Sequence, residues 1–159
     1  MTLTAPILTL RLALPARELS PNVQIHGAKK AGFVRYSRQS AFFTTLRALG
    51  VPSVPSHVLL KDRPWLGVTH KGPLTSKDYL KIASLLFKGR APAVTGYTLH
   101  FHFPTKRLQD DDNASSMFKS SRDGIADALG MDDKNLRMIT GPEMSYSSSD
   151  PHLEVRLYV

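Results

Sequence analysis

Alternation of apolar and polar residues predicts the strands of this chain. The segment 94–104 is the clearest, because aromatic and aliphatic residues alternate there with threonine and histidine. Its two histidines, His100 and His102, share one face and could ligate a metal, although polar residues on the outer face of a half-buried strand are the plainer interpretation. Apolar runs also predict a first strand over residues 7–14 and a last strand over residues 152–159.

Apolar residues spaced three and four apart predict three helices. The first runs from about residue 28 to 49, and the second begins with Ser76 as its N-cap and continues to about Lys88. The third spans about residues 113–129, and Gly130 is typical of a helix C-terminus.

The remaining segments have no long periodicity. Residues 51–75 contain four prolines and are interpreted as an irregular connection with a short strand at 57–60. The sequence SYSSSD at 145–150 is interpreted as a flexible loop. We therefore expect an α+β fold: one domain over residues 1–159, with a mixed β-sheet, two or three helices and an atypical connecting segment at about 51–92.

Composition excludes several classes of protein. The 159 residues are 42% hydrophobic and 21% charged, as in globular domains, and include no cysteine. Disulfide scaffolds, cysteine-ligated zinc and thiol nucleophiles are therefore excluded. Because no apolar stretch approaches a membrane span and the N-terminus is unlike a secretory signal, we expect a cytoplasmic protein without membrane association.

Charge is the more informative property. The chain carries a net charge of +8, yet residues 110–133 carry −5, so the remainder carries +13. A basic excess favours nucleic acid as a partner. A basic surface with one concentrated carboxylate cluster is typical of a metal-dependent nuclease, because bases bind phosphate and carboxylates hold a cation at the scissile bond.

The carboxylates occur in two groups. Asp110 and Asp112 directly follow the strand, and if the backbone stays extended there they face the same side, about 6–7 Å apart. Two carboxylates at that spacing can share Mg²⁺ or Mn²⁺. Asp132 and Asp133 follow the helix, where the chain is expected to return to the same end of the sheet.

The third helix has two distinct faces. At 100° per residue, Asp112, Lys119 and Asp123 fall within about 20° of one direction. That face could present a lysine beside the acids. The opposite face is expected to join the core through Ala114, Phe118, Ser121, Ile125 and Leu129.

Each of these polar residues also has a simple structural interpretation. Asp112 or Asn113 could cap the third helix, and Asp132 could cap the next turn. Lys119 and Asp123 could be a surface pair four residues apart. Taken singly, each residue fits that interpretation, and only the combination of all of them favours chemistry.

The combination resembles the signature of RusA-type Holliday junction resolvases. The stretch FHFPTKRLQDDDNASSMFKSSRDGIADALGMDD has a strand and basic residues, then D-x-D-N, a helix with a lysine four residues before an aspartate, and an acidic pair. These features map to Asp110, Asp112, Asn113, Lys119, Asp123, Asp132 and Asp133. The segment LPARELSPNVQIHGAKK also resembles phage-type members of the family, so the resemblance covers about residues 7–49 and 94–140.

The resemblance implies a function and a site. Asp110, Asp112 and Asp133 would bind Mg²⁺, for which Mn²⁺ would substitute, and Lys119 would assist catalysis. Members of the family are homodimers that cut four-way DNA junctions symmetrically, and they are encoded by bacteria or phages. Two departures are the longer spacing from D-x-D-N to the lysine and the longer segment at 51–92.

The leading hypothesis is therefore a Mg²⁺-dependent endonuclease that resolves Holliday junctions in recombination and repair, with no small-molecule cofactor. Phosphate contacts are expected from six basic residues: Lys29, Lys30, Arg35, Arg38, Lys106 and Arg107. The alternative is a non-catalytic basic DNA-binding protein whose aspartates only cap helices. A phosphatase or nucleotide hydrolase would also use D-x-D and Mg²⁺, but its small substrate would not need so large a basic excess.

Overall fold

A computed structural model describes residues 4–51, 74–106 and 110–159. Short 3-10 turns lie at Arg17–Leu19 and Asp133–Asn135. The helices and strands follow in the order β1 (Leu8–Leu12), α1 (Gly27–Ala48), α2 (Ser76–Leu86), β2 (Gly96–Phe103), α3 (Asp111–Leu129), β3 (Arg137–Met138), β4 (Glu143–Tyr146) and β5 (His152–Tyr158).

The five strands form one mixed sheet. β5 lies between β1 and β2 and is antiparallel to both. The other edge of β2 pairs in parallel with two short strands, β3 at Gly96 and Tyr97 and β4 from His100 to Phe103. The expected α+β class, a mixed sheet with two or three helices, is confirmed, and the described residues form three helices.

The core lies between one face of the sheet and the helices α1 and α3. Alternate residues of β1, β2 and β5 point into it, as the period of two requires. The predicted apolar face of α3 is confirmed, since all five of its residues are buried. Fully buried core side chains include Leu10, Leu99, Phe101, Phe118, Ile125 and Leu153. A second cluster joins α2 to α1 through Phe42, Leu46, Tyr79 and Ile82.

The crossing of α1 and α3 depends on one glycine. A Cβ placed on Gly124 would lie 3.1 Å from the backbone nitrogen of Phe42 and closer still to the carbonyl oxygen of Arg38. Any larger residue there would push the two helix backbones apart. This close approach brings the middle of α1, including Arg38, beside the C-terminal half of α3.

The helix ends show how the sequence sets the element bounds. Thr75, and not Ser76 as predicted, caps α2: its hydroxyl accepts from the backbone N–H of Asp78, whose carboxylate accepts in return from Thr75. Asp110 caps α3 at its start. Gly130 ends α3 in the left-handed conformation at φ 67°, which glycine adopts without strain.

One sequence prediction about the loops needs correction, and another is not tested. Residues 145–150 are not a loop throughout, because Ser145 and Tyr146 belong to β4 and pair with β2. The strand predicted at 57–60 lies outside the described residues. In the parts of the chain that the structure describes, none of the helices combines the length and apolar character needed to cross a bilayer.

Candidate functional site

Asp110 and Asp112 lie at the N-terminal end of α3. Asp110 is the N-cap: its two carboxylate oxygens accept hydrogen bonds from the backbone and side-chain nitrogens of Asn113, both at 2.9 Å. Asn113 in turn accepts from Asn22 Nδ2 at 3.2 Å, which ties the segment before α1 to this end of the helix. The extended backbone predicted over these aspartates is wrong, since the helix begins at Asp111 and places the exposed Asp112 in its first turn.

Lys119 lies further along the same helix, and Asp133 lies in the 3-10 turn that follows it. Lys119 is exposed, one turn before Asp123, and its positive charge acts on the Asp123 carboxylate. Asp133 folds back from the 3-10 turn onto α3, where Arg122 Nη2 donates to its Oδ2 at 2.8 Å. The structure therefore brings together Lys119, Asp123 and Asp133.

The structure does not bring Asp133 to Asp110 and Asp112, the three residues predicted to hold Mg²⁺. The eleven residues from Asp112 to Asp123 rise about 16 Å along a helix, and Asp133 lies at the Asp123 level. Among the described residues, no three carboxylate or imidazole groups converge as a metal site. The chain turns at Gly130, packs against the C-terminal half of α3 and returns to the sheet at the start of β2, where β3 pairs with Gly96 and Tyr97. This is the opposite end of β2 from the one that Asp110 and Asp112 follow. The predicted ligand set therefore does not fit a single ion in this arrangement.

A cleft of about 520 Å³ between α1, α2 and α3 is lined by four carboxylates, those of Asp123, Asp127, Asp132 and Asp133. We call this the carboxylate cleft, formed by Arg38, Ser76, Leu80, Asp123, Ala126, Asp127, Gly130, Met131, Asp132, Asp133 and Lys134. Asp132 caps the 3-10 turn by accepting from Lys134 N at 3.0 Å, as one interpretation of the sequence proposed.

Arg38 anchors one wall of the carboxylate cleft. Its Nε donates to Asp127 Oδ2 at 2.8 Å and its Nη2 donates to Ser76 Oγ at 3.0 Å. Its guanidinium also lies over the ring of Tyr79, 4.7 Å from the centroid. Since this side chain is only 22% exposed, Arg38 serves mainly to join α1, α2 and α3. Its predicted contact with a DNA phosphate would compete with these partners.

The carboxylate cleft disfavours the charged forms of two of its acids, Asp123 and Asp127. Burial raises the pKa of Asp123, and the nearby negative charge of Asp133 raises it further. Burial also raises the pKa of Asp127, with the hydrogen bond from Arg38 partly opposing the effect. One oxygen of Asp123 is buried without a hydrogen bond among the described residues. These carboxylates are therefore held close together at a cost to stability.

The other predicted phosphate contacts have varied positions. Lys29 and Arg35 are exposed on α1, and Lys30 is half-buried there. Lys106 is exposed after β2, and Arg107 lies outside the described residues.

Sequence reasoning missed Arg122 and Asp127. The spacing of Asp123 and Asp127, four residues apart on one helix, is the signal that could have indicated a second acidic group.

Comparisons with known proteins give one informative similarity and assign no activity. No family model matches the chain, and no solved structure matches it. A protein of Xylella fastidiosa (strain Temecula1 / ATCC 700964), described only as "Uncharacterized protein", is 31% identical over 134 residues. The alignment covers 84% of this chain and 64% of that relative, so the chain spans less than two thirds of the relative's length. The likeness to RusA-type resolvases thus rests on the sequence motif alone.

Proposed function

We propose that the protein is a metal-dependent endonuclease of the RusA type that acts on branched DNA, with four-way junctions as its preferred substrate. In this proposal it works as a homodimer in the cytoplasm of a bacterium, encoded by the host or by a phage. The observation that carries the proposal is the crowding of Asp123 and Asp127 of α3 with Asp133. Burial and the charge of Asp133 oppose the charged forms of Asp123 and Asp127, and the basic helix α1 lies beside them.

Crowded carboxylates favour a functional role over a purely structural one. A surface acid that only caps a helix is normally stabilised by its position. Asp123 is instead destabilised, because burial and Asp133 both penalise its charged form. Acids kept in such an arrangement are candidates for a reaction centre, since a site can retain interactions that cost stability.

The basic surface supplies the binding half of the proposal. α1 packs directly on α3 and carries Lys29, Lys30 and Arg35 along its length. Such residues can position a nucleic-acid backbone through its phosphates without reading sequence. Lys119, exposed beside Asp123, is the residue suited to stabilise the extra negative charge that develops on a phosphate under attack.

The metal requirement is a separate part of the proposal. Mg²⁺ is the expected cofactor by resemblance, with Mn²⁺ as a substitute. No catalytic step is assigned to the ion, because Asp110 and Asp112 lie about 16–20 Å along α3 from the level of Asp133. The proposal therefore makes cation dependence an outcome to be measured.

A non-catalytic DNA-binding protein is the second candidate function, favoured by two specific observations. Asp110 caps α3, and Asp132 caps the turn after it. In that case Asp110 serves only to start α3, and Asp132 serves only to start the 3-10 turn. The protein would then bind DNA through its basic residues and would leave every strand intact.

The test is incubation of the full chain with a synthetic four-way junction, in parallel with a linear duplex of the same sequence. Each substrate is incubated with Mg²⁺, Mn²⁺, Zn²⁺ or Ca²⁺ alone, or with excess chelator, and products are separated on a denaturing gel. We expect paired cuts in the junction with Mg²⁺ or Mn²⁺ only. Binding without cuts under every condition supports the second candidate, whereas full activity in chelator removes the metal from the proposal.

Two further measurements complete the test. Release of phosphate from nucleotides, without cutting of DNA, would favour a phosphatase or nucleotide hydrolase. Sedimentation at micromolar concentration should show a dimer, since two like strands of a junction must be cut and a twofold enzyme presents two sites. An active monomer would contradict that part of the proposal.

A further inference from the structure

A second cavity lies between β1, α1 and α3, away from the carboxylate cleft. Its volume is about 420 Å³, and three serines line it: Ser37 and Ser40 of α1 and Ser121 of α3. We call this cavity the serine pocket. At 100° per residue, Ser121 and Asp123 point about 160° apart around α3. The serine pocket and the carboxylate cleft therefore lie on opposite sides of that helix.

Apolar side chains form the walls of the serine pocket. Leu12 and Leu14 line it from the end of β1, and Phe33 and Tyr36 line it from α1. Tyr36 is 60% exposed, so its ring stands at the rim with much of its surface free. A volume of about 300–1,000 Å³ and a mostly apolar lining with a few polar groups are typical of ligand pockets. The two aromatic side chains suit an occupant with a flat ring.

The polar groups of the serine pocket are free to bind a ligand. None of its three serine hydroxyls takes part in a hydrogen bond within the described residues. Ser37 and Ser121 are buried, which places their hydroxyls deep in the pocket. An occupant made only of hydrocarbon would leave these groups without partners, at a cost in free energy. The occupant is therefore expected to carry hydrogen-bonding groups of its own.

Charge at the serine pocket favours an anion. Lys29 is exposed, and it is the one charged residue in the lining that the structure describes. The whole of α1 carries five basic residues and no acid, with Lys30 and Arg35 outside the pocket. An anionic group at the rim would thus be attracted to Lys29 and would meet no acidic side chain in the described lining.

We propose that the serine pocket binds one unpaired nucleotide of DNA, with its base against Phe33 and Tyr36 and its phosphate on Lys29. An aromatic side chain can stack on any base, because every base has a π-face, and hydroxyls can bond to the edges of an unpaired base. The inference rests on the proposed function for its choice of DNA as the partner. It adds a contact with DNA where strands part, and it assigns no catalytic step to the pocket.

The inference predicts a preference for single strands. In a duplex the bases are stacked and paired, so a base must first be extruded before it can enter a pocket, and that step costs free energy. An unpaired strand presents its bases without this cost. Binding of single strands should therefore depend on the pocket, whereas binding of duplex should depend only on the basic surface.

The first test measures the affinity of the full chain for a fluorescent oligodeoxythymidine, alone and annealed to its complement, by anisotropy without divalent metal. We expect Tyr36→Ala to weaken single-strand binding by roughly tenfold and to leave duplex binding unchanged. Tyr36→Phe should keep the wild-type affinity, because its ring still stacks. Tyr146→Ala is the matched control, since Tyr146 is 49% exposed and lies on β4, outside the pocket.

Two further variants test the interior and the rim of the pocket. Ser40→Leu adds a bulky side chain to the lining and should weaken single-strand binding as Tyr36→Ala does, with urea unfolding as the check that the variant is folded. Lys29→Gln should lower the slope of log affinity against log salt by about 0.7, the contribution of one phosphate of a single strand.

NMR of the wild type locates the nucleotide without any substitution. Titration with thymidine monophosphate should shift the ring signals of Phe33 and Tyr36 and leave those of Tyr146 unchanged. Ring signals of Phe33 and Tyr36 that do not respond to the nucleotide would overturn the inference. A response of those signals to a fatty acid, with none to the nucleotide, would overturn it as well.

The inference and the proposed function can fail separately. If the protein cuts junctions and Tyr36→Ala binds single strands like the wild type, the inference is overturned and the proposed function stands. If single-strand binding depends on Tyr36 and no DNA is cut under any condition, the inference stands and the endonuclease proposal does not.

Discussion

Gly124→Ala tests how the carboxylate cleft is built. The added Cβ would lie 3.0 Å from the carbonyl carbon of Arg38 and 3.1 Å from the nitrogen of Phe42, and nearer still to the Arg38 carbonyl oxygen. These are backbone atoms of α1, so no side-chain rotation can relieve the contact. The two helices must separate, by roughly 1 Å.

The expected cost follows from two terms. Forced separation of packed backbone costs about 1–3 kcal/mol. A shift of that size also stretches the bond from Arg38 Nε to Asp127 Oδ2 beyond hydrogen-bond range, and a bond to a charged group contributes about 1.5–3 kcal/mol. Alanine gains about 1 kcal/mol in helix propensity. We therefore expect the free energy of unfolding to fall by about 3 kcal/mol.

The assay is urea unfolding followed by circular dichroism, with Gly32→Ala as the matched control. Gly32 is also inside a helix, α1, but a Cβ there would meet nothing within 4 Å. The control should therefore stabilise the protein by up to about 1 kcal/mol. If Gly124→Ala costs less than about 1 kcal/mol, or if both variants shift stability in the same direction, the described crossing of α1 and α3 is wrong.

Three further predictions concern α3 and its partner Arg38. Arg38→Gln should lower the free energy of unfolding at pH 7 by about 2 kcal/mol, because Asp127 is left charged and buried. In acid, where Asp127 is protonated, urea unfolding should show a smaller loss. Asp123→Asn should raise the free energy of unfolding at pH 7. The pKa of Asp123 is raised in the folded state, so wild-type stability falls as pH rises from the ordinary value of 3.8 through the raised value. Below that pH window, the variant should be no more stable than the wild type. Lys119→Ala should keep its thermal midpoint and lose most junction cleavage, because the side chain is exposed and leaves no cavity; near-normal turnover would make it a surface residue only.

Local pattern was sufficient for the main elements of the fold. The alternation in 94–104 and the apolar stripe of α3 each have a physical period that the structure reproduces. β3 and β4 could not be predicted in the same way. They have two and four residues, and each exists because it pairs with the free edge of β2, a contact distant in sequence.

The candidate site was harder to predict than the fold. A D-x-D-N motif at the end of a strand is equally suited to an extended pair of metal ligands and to the start of a helix. In the structure the motif starts a helix, because Asp110 caps α3. The position of Asp133 depends on the hydrogen bond from Arg122, which no local pattern specifies, although Gly130 did indicate where α3 ends. The carboxylate cleft likewise depends on a crossing of two helices that a single glycine allows.

The most direct test of the central claim, that α3 carries catalytic carboxylates on a DNA-binding scaffold, compares wild type with Asp123→Asn on one four-way junction. Cleavage is measured with Mg²⁺, and binding by gel shift without divalent metal at several salt concentrations. The account predicts no cleavage by the variant, with binding equal to or tighter than that of wild type, because one negative charge is removed while basic residues still release counterions. Normal cleavage by the variant would contradict the account, as would a folded variant that loses binding together with cleavage.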